Sequence, residues 1–275
     1  MANPDRDFDK THLSIDTAAE RVMFHRDYIA HLFRWTHVIK HLYKQKNYLN
    51  ARILDIGCGK EVPLARALYS NKLSGAKYCG VDLNKLQMPE MLVKAVENKK
   101  LEVTLLSTDA STLTADMLPW QPNIITSFEA WEHMHPEAAL RTFKNAYDLL
   151  ADDGIMFFST PCWNGKAAAN HINETTYEAM GFILQNIGFA ITDVFGTFAS
   201  ISDYKPYMDY ALEPFYDRLR EYYDTNMLSA IIAPLFPSHS RNAMWVCAKH
   251  GVDIKTFPEP SNKWSQHPDW EKLNA

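Results

Sequence analysis

An apolar strand, a turn with two glycines and the start of a helix follow one another soon after residue 50, and this order constrains the fold more than any other feature. The run Arg52 to Ile56 is too short and too rich in β-branched residues for a helix. Gly57 and Gly59 allow a sharp turn and a close approach of the backbone to a ligand, and Pro63 stands at a typical first helical position. The junction predicts an α/β fold with a nucleotide-like ligand at the carboxyl end of the strand.

The spacing of these glycines argues against two common nucleotide sites. A dinucleotide fingerprint needs a third glycine three residues after Gly59, and that position holds Val62. A phosphate-binding loop needs Gly-Lys-Ser/Thr, and the sequence lacks this tripeptide. Asp55, at the end of the strand, suits a ligand that carries a positive charge better than a pyrophosphate.

Asp55, Gly57 and Gly59 resemble the first motif of the class I S-adenosylmethionine-dependent methyltransferases, an apolar strand and an acid followed by Gly-x-Gly-x-Gly. Glu61 stands where this family usually has its third glycine. Further motifs follow in the family's order, so that the resemblance covers about residues 50 to 195. It implies that S-adenosylmethionine is the cofactor and that methyl transfer is the reaction.

The resemblance also assigns roles to residues at four strand ends. The first motif would face the methionine part of the cofactor, Asp82 the ribose hydroxyls and Asp109 the adenine amino group, while the fourth strand would face the methyl group. The residues expected to bind the cofactor are Asp55, Gly57, Gly59, Asp82, Leu83, Asp109, Ala110 and Phe128.

The order of predicted strands and helices gives a fold class and a domain plan. We expect a Rossmann-like, seven-stranded, mostly parallel, doubly wound sheet whose last strand is antiparallel, with amino-terminal helices and a helical insert before that strand. Residues 1–50 would form a tail and cap helices, with helix over about 16–48. Residues 51–250 would form the methyltransferase domain, including an aromatic insert or lid at 202–238, and residues 251–275 an extended tail.

Composition favours a cytoplasmic protein that does not enter a membrane. No apolar run reaches the roughly 18 residues that a membrane helix needs, and the four cysteines show no paired spacing. The net charge of −5 gives no general attraction to nucleic acid. The amino-terminal segment is basic and aromatic, so it either has a solvated face or contacts phosphates and bases. The insert is either an acidic aromatic lid or ordinary core packing.

The candidates for catalysis follow the fourth and fifth strands, nearest the methyl group: Glu129, His133 and His171. Glu129-x-x-Glu132-His133 resembles a run that lines the cofactor pocket of many small-molecule methyltransferases and binds no metal. It also resembles the metal-binding set of the enzymes that methylate the terminal 2′-hydroxyl of small RNAs. We predict no metal.

The most plausible function from sequence is methyl transfer to an O or N atom of a small-molecule acceptor. Two alternatives stay open. One is a metal-dependent RNA ribose 2′-O-methyltransferase, which would make nucleic acid a partner. The other is a non-catalytic scaffold that binds S-adenosylmethionine.

Overall fold

Seven strands form one sheet at the centre of the computed structural model, which describes residues 26–45, 48–261 and 263–270. The strands are β1 (Arg52–Ile56), β2 (Lys77–Asp82), β3 (Glu102–Ser107), β4 (Ile124–Phe128), β5 (Ile155–Pro161), β6 (Ala190–Phe198) and β7 (Asn242–Ala248). Their spatial order is β3-β2-β1-β4-β5-β7-β6. All pairs are parallel except β5 with β7 and β7 with β6. The predicted fold class, including the antiparallel last strand, is confirmed.

Helices cover both faces of the sheet. They are α1 (Arg26–Gln45), α2 (Pro63–Ser70), α3 (Glu90–Glu97), α4 (Pro136–Leu149), α5 (Tyr177–Ile187), α6 (Ile201–Tyr204), α7 (Glu213–Arg220) and α8 (Thr225–Ile232). Residues 16–25 of the predicted amino-terminal helices lie outside the described residues. None of the helices in the described ranges is both long and apolar enough to cross a membrane.

Side-chain alternation along the strands divides the core into two apolar clusters. Neighbouring residues of a strand point to opposite faces of a sheet, and Phe157 and Phe158 accordingly belong to different clusters. One cluster contains Phe143 of α4 and Leu184 of α5, and the other contains Val38 of α1. The sheet is therefore a buried central layer between two layers of helices.

The strand order reverses direction between β1 and β4, and this reversal positions the functional cleft. The chain builds outward from β1 through β2 to β3, and then returns to add β4 on the other side of β1. Loops after β1 and β4 consequently leave the sheet in opposite directions. Open α/β sheets have their ligand crevice at such a point, outside the carboxyl ends of the strands.

The insert between β6 and β7 forms a small cluster of its own. Tyr204, Tyr216 and Leu228 are buried together in it, while the side chain of Tyr210 is 86% exposed. Helix α8 packs against α1 and β6. The core-packing interpretation therefore holds for Tyr204 and Tyr216, while the lid stays a prediction.

The tail after β7 is extended, and it is bound to the domain. Trp270 is buried, stacks on Trp131 with ring centroids 5.7 Å apart, and donates its indole N–H to Asn173 Oδ1 at 2.7 Å. Gln266 donates to the backbone oxygen of His171 at 2.6 Å. The tail therefore supports the loop that carries His171.

Candidate active site

A cleft of about 670 Å³ lies at the carboxyl ends of β1, β2 and β4. All eight residues expected to bind the cofactor line it: Asp55, Gly57, Gly59, Asp82, Leu83, Asp109, Ala110 and Phe128. Of the three catalytic candidates, Glu129 and His133 line it, while His171 does not.

The glycine turn after β1 forms the floor of the cleft. Gly57 has φ of +71° and Gly59 has φ of +69°, which are left-handed conformations that favour glycine. A Cβ atom at Gly57 would lie 2.5 Å from Cβ of Ala130, whereas a Cβ at Gly59 would meet no atom within 4 Å. Gly57 therefore allows the turn to pack against the loop after β4, and Gly59 leaves open space for a ligand.

Two aspartates are held at the rim of this floor by backbone N–H groups. Asp82 Oδ2 accepts from the N–H of Gly59 at 3.0 Å, and its Oδ1 accepts from the N–H of Asn84 at 2.9 Å. Asp109 Oδ1 accepts from the N–H of Ser111 at 2.8 Å. Both carboxylates are therefore oriented before a ligand arrives.

Asp55 is buried beneath the glycine turn. Its carboxylate accepts from the hydroxyls of Tyr78 at 2.6 Å and Thr126 at 2.7 Å. Burial raises the pKa of Asp55 to about 6, and these two hydrogen bonds oppose the rise. The carboxyl is therefore mainly ionised at pH 7. Sequence reasoning found Asp55 but neither hydroxyl, since both come from other strands.

Glu129 connects three elements at the cleft wall. Its carboxylate lies 3.1 Å from Arg34 Nη2, and it accepts hydrogen bonds from Ser159 at 2.9 Å and Asn242 at 2.6 Å. Its φ is +55°, an uncommon value for a residue with a side chain. Both oxygens bind donors, so Glu129 joins α1, β5 and β7 at the cleft wall. Its catalytic role stays a prediction.

His133 lines the cleft and contacts a backbone carbonyl through one ring nitrogen. Its Nδ1 lies 3.1 Å from the carbonyl oxygen of Asn170, and a carbonyl can only accept, so Nδ1 carries the proton. In the neutral ring, Nε2 is then a proton acceptor. Burial, and then the neighbouring His171, lower the pKa of His133, so the imidazole is neutral at pH 7.

His171 lies behind His133, with ring centroids 5.0 Å apart. Its Nδ1 donates to Glu174, which also pairs with Arg241. Its buried Nε2 has no hydrogen-bond partner. His171 is therefore a buried neighbour of the cleft wall, and its catalytic role stays a prediction.

Three ligand-type atoms converge at this point. They belong to Glu132, His133 and His171 and lie within 4.8 Å of one another. Glu132 Oε1 is buried without a hydrogen-bond partner and lies 3.9 Å from His133 Nε2. Burial, and then the charge of Glu129, raise the pKa of Glu132 well above its usual value. The set could hold a divalent cation, or it could stay metal-free with Glu132 protonated.

Helix α1 supplies the wall that sequence reasoning missed. His31 and Trp35 line the cleft, and Arg34 between them is buried in the ion pair with Glu129. A signal was present in the sequence, because His31, Arg34 and Trp35 share one helix face with the apolar Val38. No described residue of the insert between β6 and β7 lines the cleft, and Trp163 does not line it either.

Fold and cleft together define a doubly wound α/β protein with a nucleotide-type site, and comparisons with known proteins narrow this class. A family model described as "Methyltransferase domain" matches residues 26–194, more than half of the chain. No curated protein matches the sequence.

Three solved structures are similar to this chain at low sequence identity. PKMT2 from Rickettsia typhi superposes with a TM-score of 0.50 and 14% identity over 76% of this chain, which spans 51% of that protein. Magnesium protoporphyrin IX methyltransferase from Synechocystis PCC 6803 has a TM-score of 0.49 and 14% sequence identity, and the match covers 82% of this chain and 86% of that protein. The 1,6-didemethyltoxoflavin-N1-methyltransferase from Burkholderia thailandensis has a TM-score of 0.47 and 15% sequence identity, and the match covers 84% of this chain and 93% of that protein.

The chain therefore belongs to the methyltransferase domain family, and it is a class I S-adenosylmethionine-dependent methyltransferase. Its methyl donor is S-adenosylmethionine. The cleft fits that group, because Gly59 leaves open space beside a carboxylate that is already oriented, Asp82. The scaffold alternative gives way to an enzyme.

Proposed function

We propose that the enzyme methylates an O or N atom of a neutral or cationic small molecule. The distribution of charge around the cleft carries this proposal. Five acids line it: Asp55, Glu61, Asp82, Asp109 and Glu129. Among the described lining residues, Lys60 is the one lysine or arginine. Such a lining attracts a sulfonium donor and repels a polyanion.

The donor half of the cleft comprises the turn after β1 and the ends of β2 and β3. In our assignment, the carboxylate of Asp82 accepts the two ribose hydroxyls, and that of Asp109 accepts the adenine amino group. Asp55 provides negative charge beneath the methionine part, and Leu83 and Ala110 contact the adenine. Phe128 faces the methyl group. Charge-assisted hydrogen bonds of this type are among the stronger ones in proteins.

His133 removes the acceptor's proton in this proposal. S-adenosylmethionine supplies a methyl group on a positively charged sulfur, so methyl transfer forms a bond from the methyl carbon to the acceptor and breaks its bond to sulfur. The donor sulfur keeps the electron pair and becomes a neutral thioether. The acceptor's proton passes to Nε2 of His133, the nitrogen that the Asn170 contact leaves unprotonated. The cleft walls align the two reactants and exclude water.

An acceptor survey tests this proposal. The enzyme would be incubated with methyl-labelled S-adenosylmethionine and panels of neutral, cationic and anionic alcohols, phenols and amines, with and without a chelator. We expect label in neutral or cationic acceptors, unaffected by the chelator. Transfer confined to anionic acceptors would contradict the charge argument.

A metal-dependent RNA ribose methyltransferase is the second candidate, and one observation favours it. His133 and His171 each donate Nδ1–H to an oxygen, and Nε2 of His133 lies 3.9 Å from the unpartnered Oε1 of Glu132. One ligand-type atom from each of Glu132, His133 and His171 lies within 4.8 Å of the other two. Metal-binding histidines are typically oriented in this way by a carbonyl or a carboxylate. The residues that would hold a divalent cation are thus Glu132, His133 and His171, and the ion would orient ribose hydroxyls.

Metal binding distinguishes the small-molecule enzyme from the RNA ribose methyltransferase. In the first, Nε2 of His133 accepts a proton, and in the second it would bind a cation. Calorimetry with Zn²⁺, Mn²⁺ or Mg²⁺ would be run on the wild type, on Glu132→Gln and, as a control, on Asp152→Asn at an exposed position. A heat lost only in Glu132→Gln, together with chelator-sensitive methylation of a short RNA, would favour the ribose enzyme. No binding of any of these cations would exclude it.

A further inference from the structure

His31 and Trp35 form a wall of the cleft that none of the donor assignments uses. Both side chains are at least nine-tenths buried, lie one helical turn apart on α1 and line the cleft. Trp35 belongs to the same apolar cluster as Phe128, the residue at the end of β4. The wall therefore faces the end of the cleft where the methyl group would lie.

The imidazole of His31 has unused hydrogen-bonding capacity. Its contact with another side chain is the ring of Trp35, at a centroid distance of 5.6 Å, and it has no hydrogen bond to any described residue. Burial, and then the neighbouring Arg34, hold the pKa of His31 well below its usual range, so the ring is neutral. A neutral imidazole offers one donor and one acceptor. Because His31 lines the cleft, this donor and this acceptor can pair with a polar group of a bound molecule.

Arg34, the charged residue between His31 and Trp35 on α1, is buried and contacts residues outside this wall. Arg34 pairs with Glu129 and donates to Thr197 Oγ1 at 3.2 Å. The wall thus presents an indole and a neutral polar ring to the cleft. A flat apolar ring with one hydroxyl or ring N–H matches this combination.

We propose that His31 and Trp35 are the acceptor subsite and that the acceptor is a planar aromatic or heteroaromatic molecule with a hydroxyl or ring N–H group. Its ring packs on the indole of Trp35, and its polar group pairs with the imidazole of His31. This inference rests on the proposed function, because it names the acceptor class for the same cleft.

Three related probes separate the two contacts. Protein loaded with S-adenosylhomocysteine would be titrated with 2-naphthol, with naphthalene, which lacks the hydroxyl, and with decahydro-2-naphthol, which lacks the flat ring. We expect the wild type to prefer 2-naphthol over either analogue by roughly three- to tenfold, the size of one hydrogen bond or one aromatic contact.

Variants on α1 assign each preference to a side chain. His31→Ala should abolish the preference for the hydroxyl, and Trp35→Leu the preference for the flat ring, while Trp35→Phe should keep it. Leu32→Ala and Phe33→Ala change exposed positions on the same helix and should alter neither preference. Unchanged affinity for S-adenosylhomocysteine would show that each variant is folded.

Two results would overturn the subsite: no binding of 2-naphthol to the loaded wild type, or preferences that survive in both variants. Methyl transfer from S-adenosylmethionine to 2-naphthol would be measured separately. Binding that depends on His31 and Trp35 without transfer to any O or N acceptor would leave the subsite intact and count against the proposed function.

Discussion

The donor half and the acceptor half of the cleft are built in different ways. The donor half comes from consecutive turns after β1, β2 and β3, where glycines and aspartates stand at strand ends. The acceptor half combines α1, the turn after β4 and the loop at Asn170. Local sequence determines the first half, and contacts between distant segments determine the second.

The two halves also differ in how their polar groups are satisfied. Asp82 and Asp109 accept backbone N–H groups, and Asp55 accepts two hydroxyls. Behind the acceptor half, Glu132 and His171 each have a buried atom without a partner. The comparison teaches that the donor half is preorganised, whereas the buried residues behind the acceptor half need a proton or an ion to complete them.

The largest expected effect is a loss of turnover from a change in the acceptor half that leaves the donor half intact. His133→Asn keeps a donor for the Asn170 carbonyl and removes the acceptor nitrogen, so we expect kcat to fall by roughly 10²- to 10⁴-fold. Binding of S-adenosylhomocysteine, measured by calorimetry, should not change. His250→Asn, at an exposed position, is the control. An unaltered kcat in His133→Asn would mean that the proton leaves by another route.

The next effect concerns the stability of the acceptor half. Trp270→Ala removes a buried indole that stacks on Trp131, and large-to-small changes of this kind cost about 3–5 kcal/mol. Urea unfolding would measure the loss. Trp120→Ala, which removes a partly exposed indole bonded to Glu102, should cost less. Equal losses of unfolding free energy in the two variants would show that the docking of Trp270 stabilises the protein no more than a partly exposed indole does.

A smaller effect tests preorganisation in the donor half. Gly59→Ala should cost about 1–2 kcal/mol of stability from its left-handed backbone, and should weaken S-adenosylhomocysteine binding because the new Cβ enters the cleft. Gly57→Ala carries the same strain and also contacts Ala130, so its stability should fall further. Calorimetry and thermal unfolding check both. If Gly59→Ala bound S-adenosylhomocysteine as tightly as the wild type, the donor would not occupy the open space beside Gly59.

The smallest effect is a pH dependence from Asp55. Its pKa of about 6 in the folded protein lies above the ordinary value of 3.8. Between these values the native state holds more protons than the unfolded state, so this carboxyl's contribution to stability falls as pH rises to about 6. Its negative charge grows over pH 5–7, so donor affinity should rise, by at most about tenfold. Asp55→Asn should flatten the affinity profile, and a profile unchanged in that variant would reject the assignment.

This difference between the halves explains what the sequence could predict. The seven strands and the residues at their ends follow from local patterns, as the turn from Asp55 to Gly59 illustrates. Arg34 was read as one of several basic residues on a helix, because its burial depends on Glu129, 95 positions later in the chain. The binding of Trp270 to Asn173 was equally hidden in sequence. The sequence left the insert open between a lid and core packing, because aromatic residues do not reveal which surface they contact.

The docking of Trp270 also implies that the two halves of the cleft are completed at different times during synthesis. Chains emerge from the ribosome amino end first, at about 5–20 residues per second. Phe128 therefore leads Trp270 by roughly 7–28 s, since about 140 residues separate them. During that interval the turns that recognise the donor are already synthesised, while the loop of His171 still lacks its support. A nascent chain should consequently gain affinity for its cofactor before it gains the ability to use it.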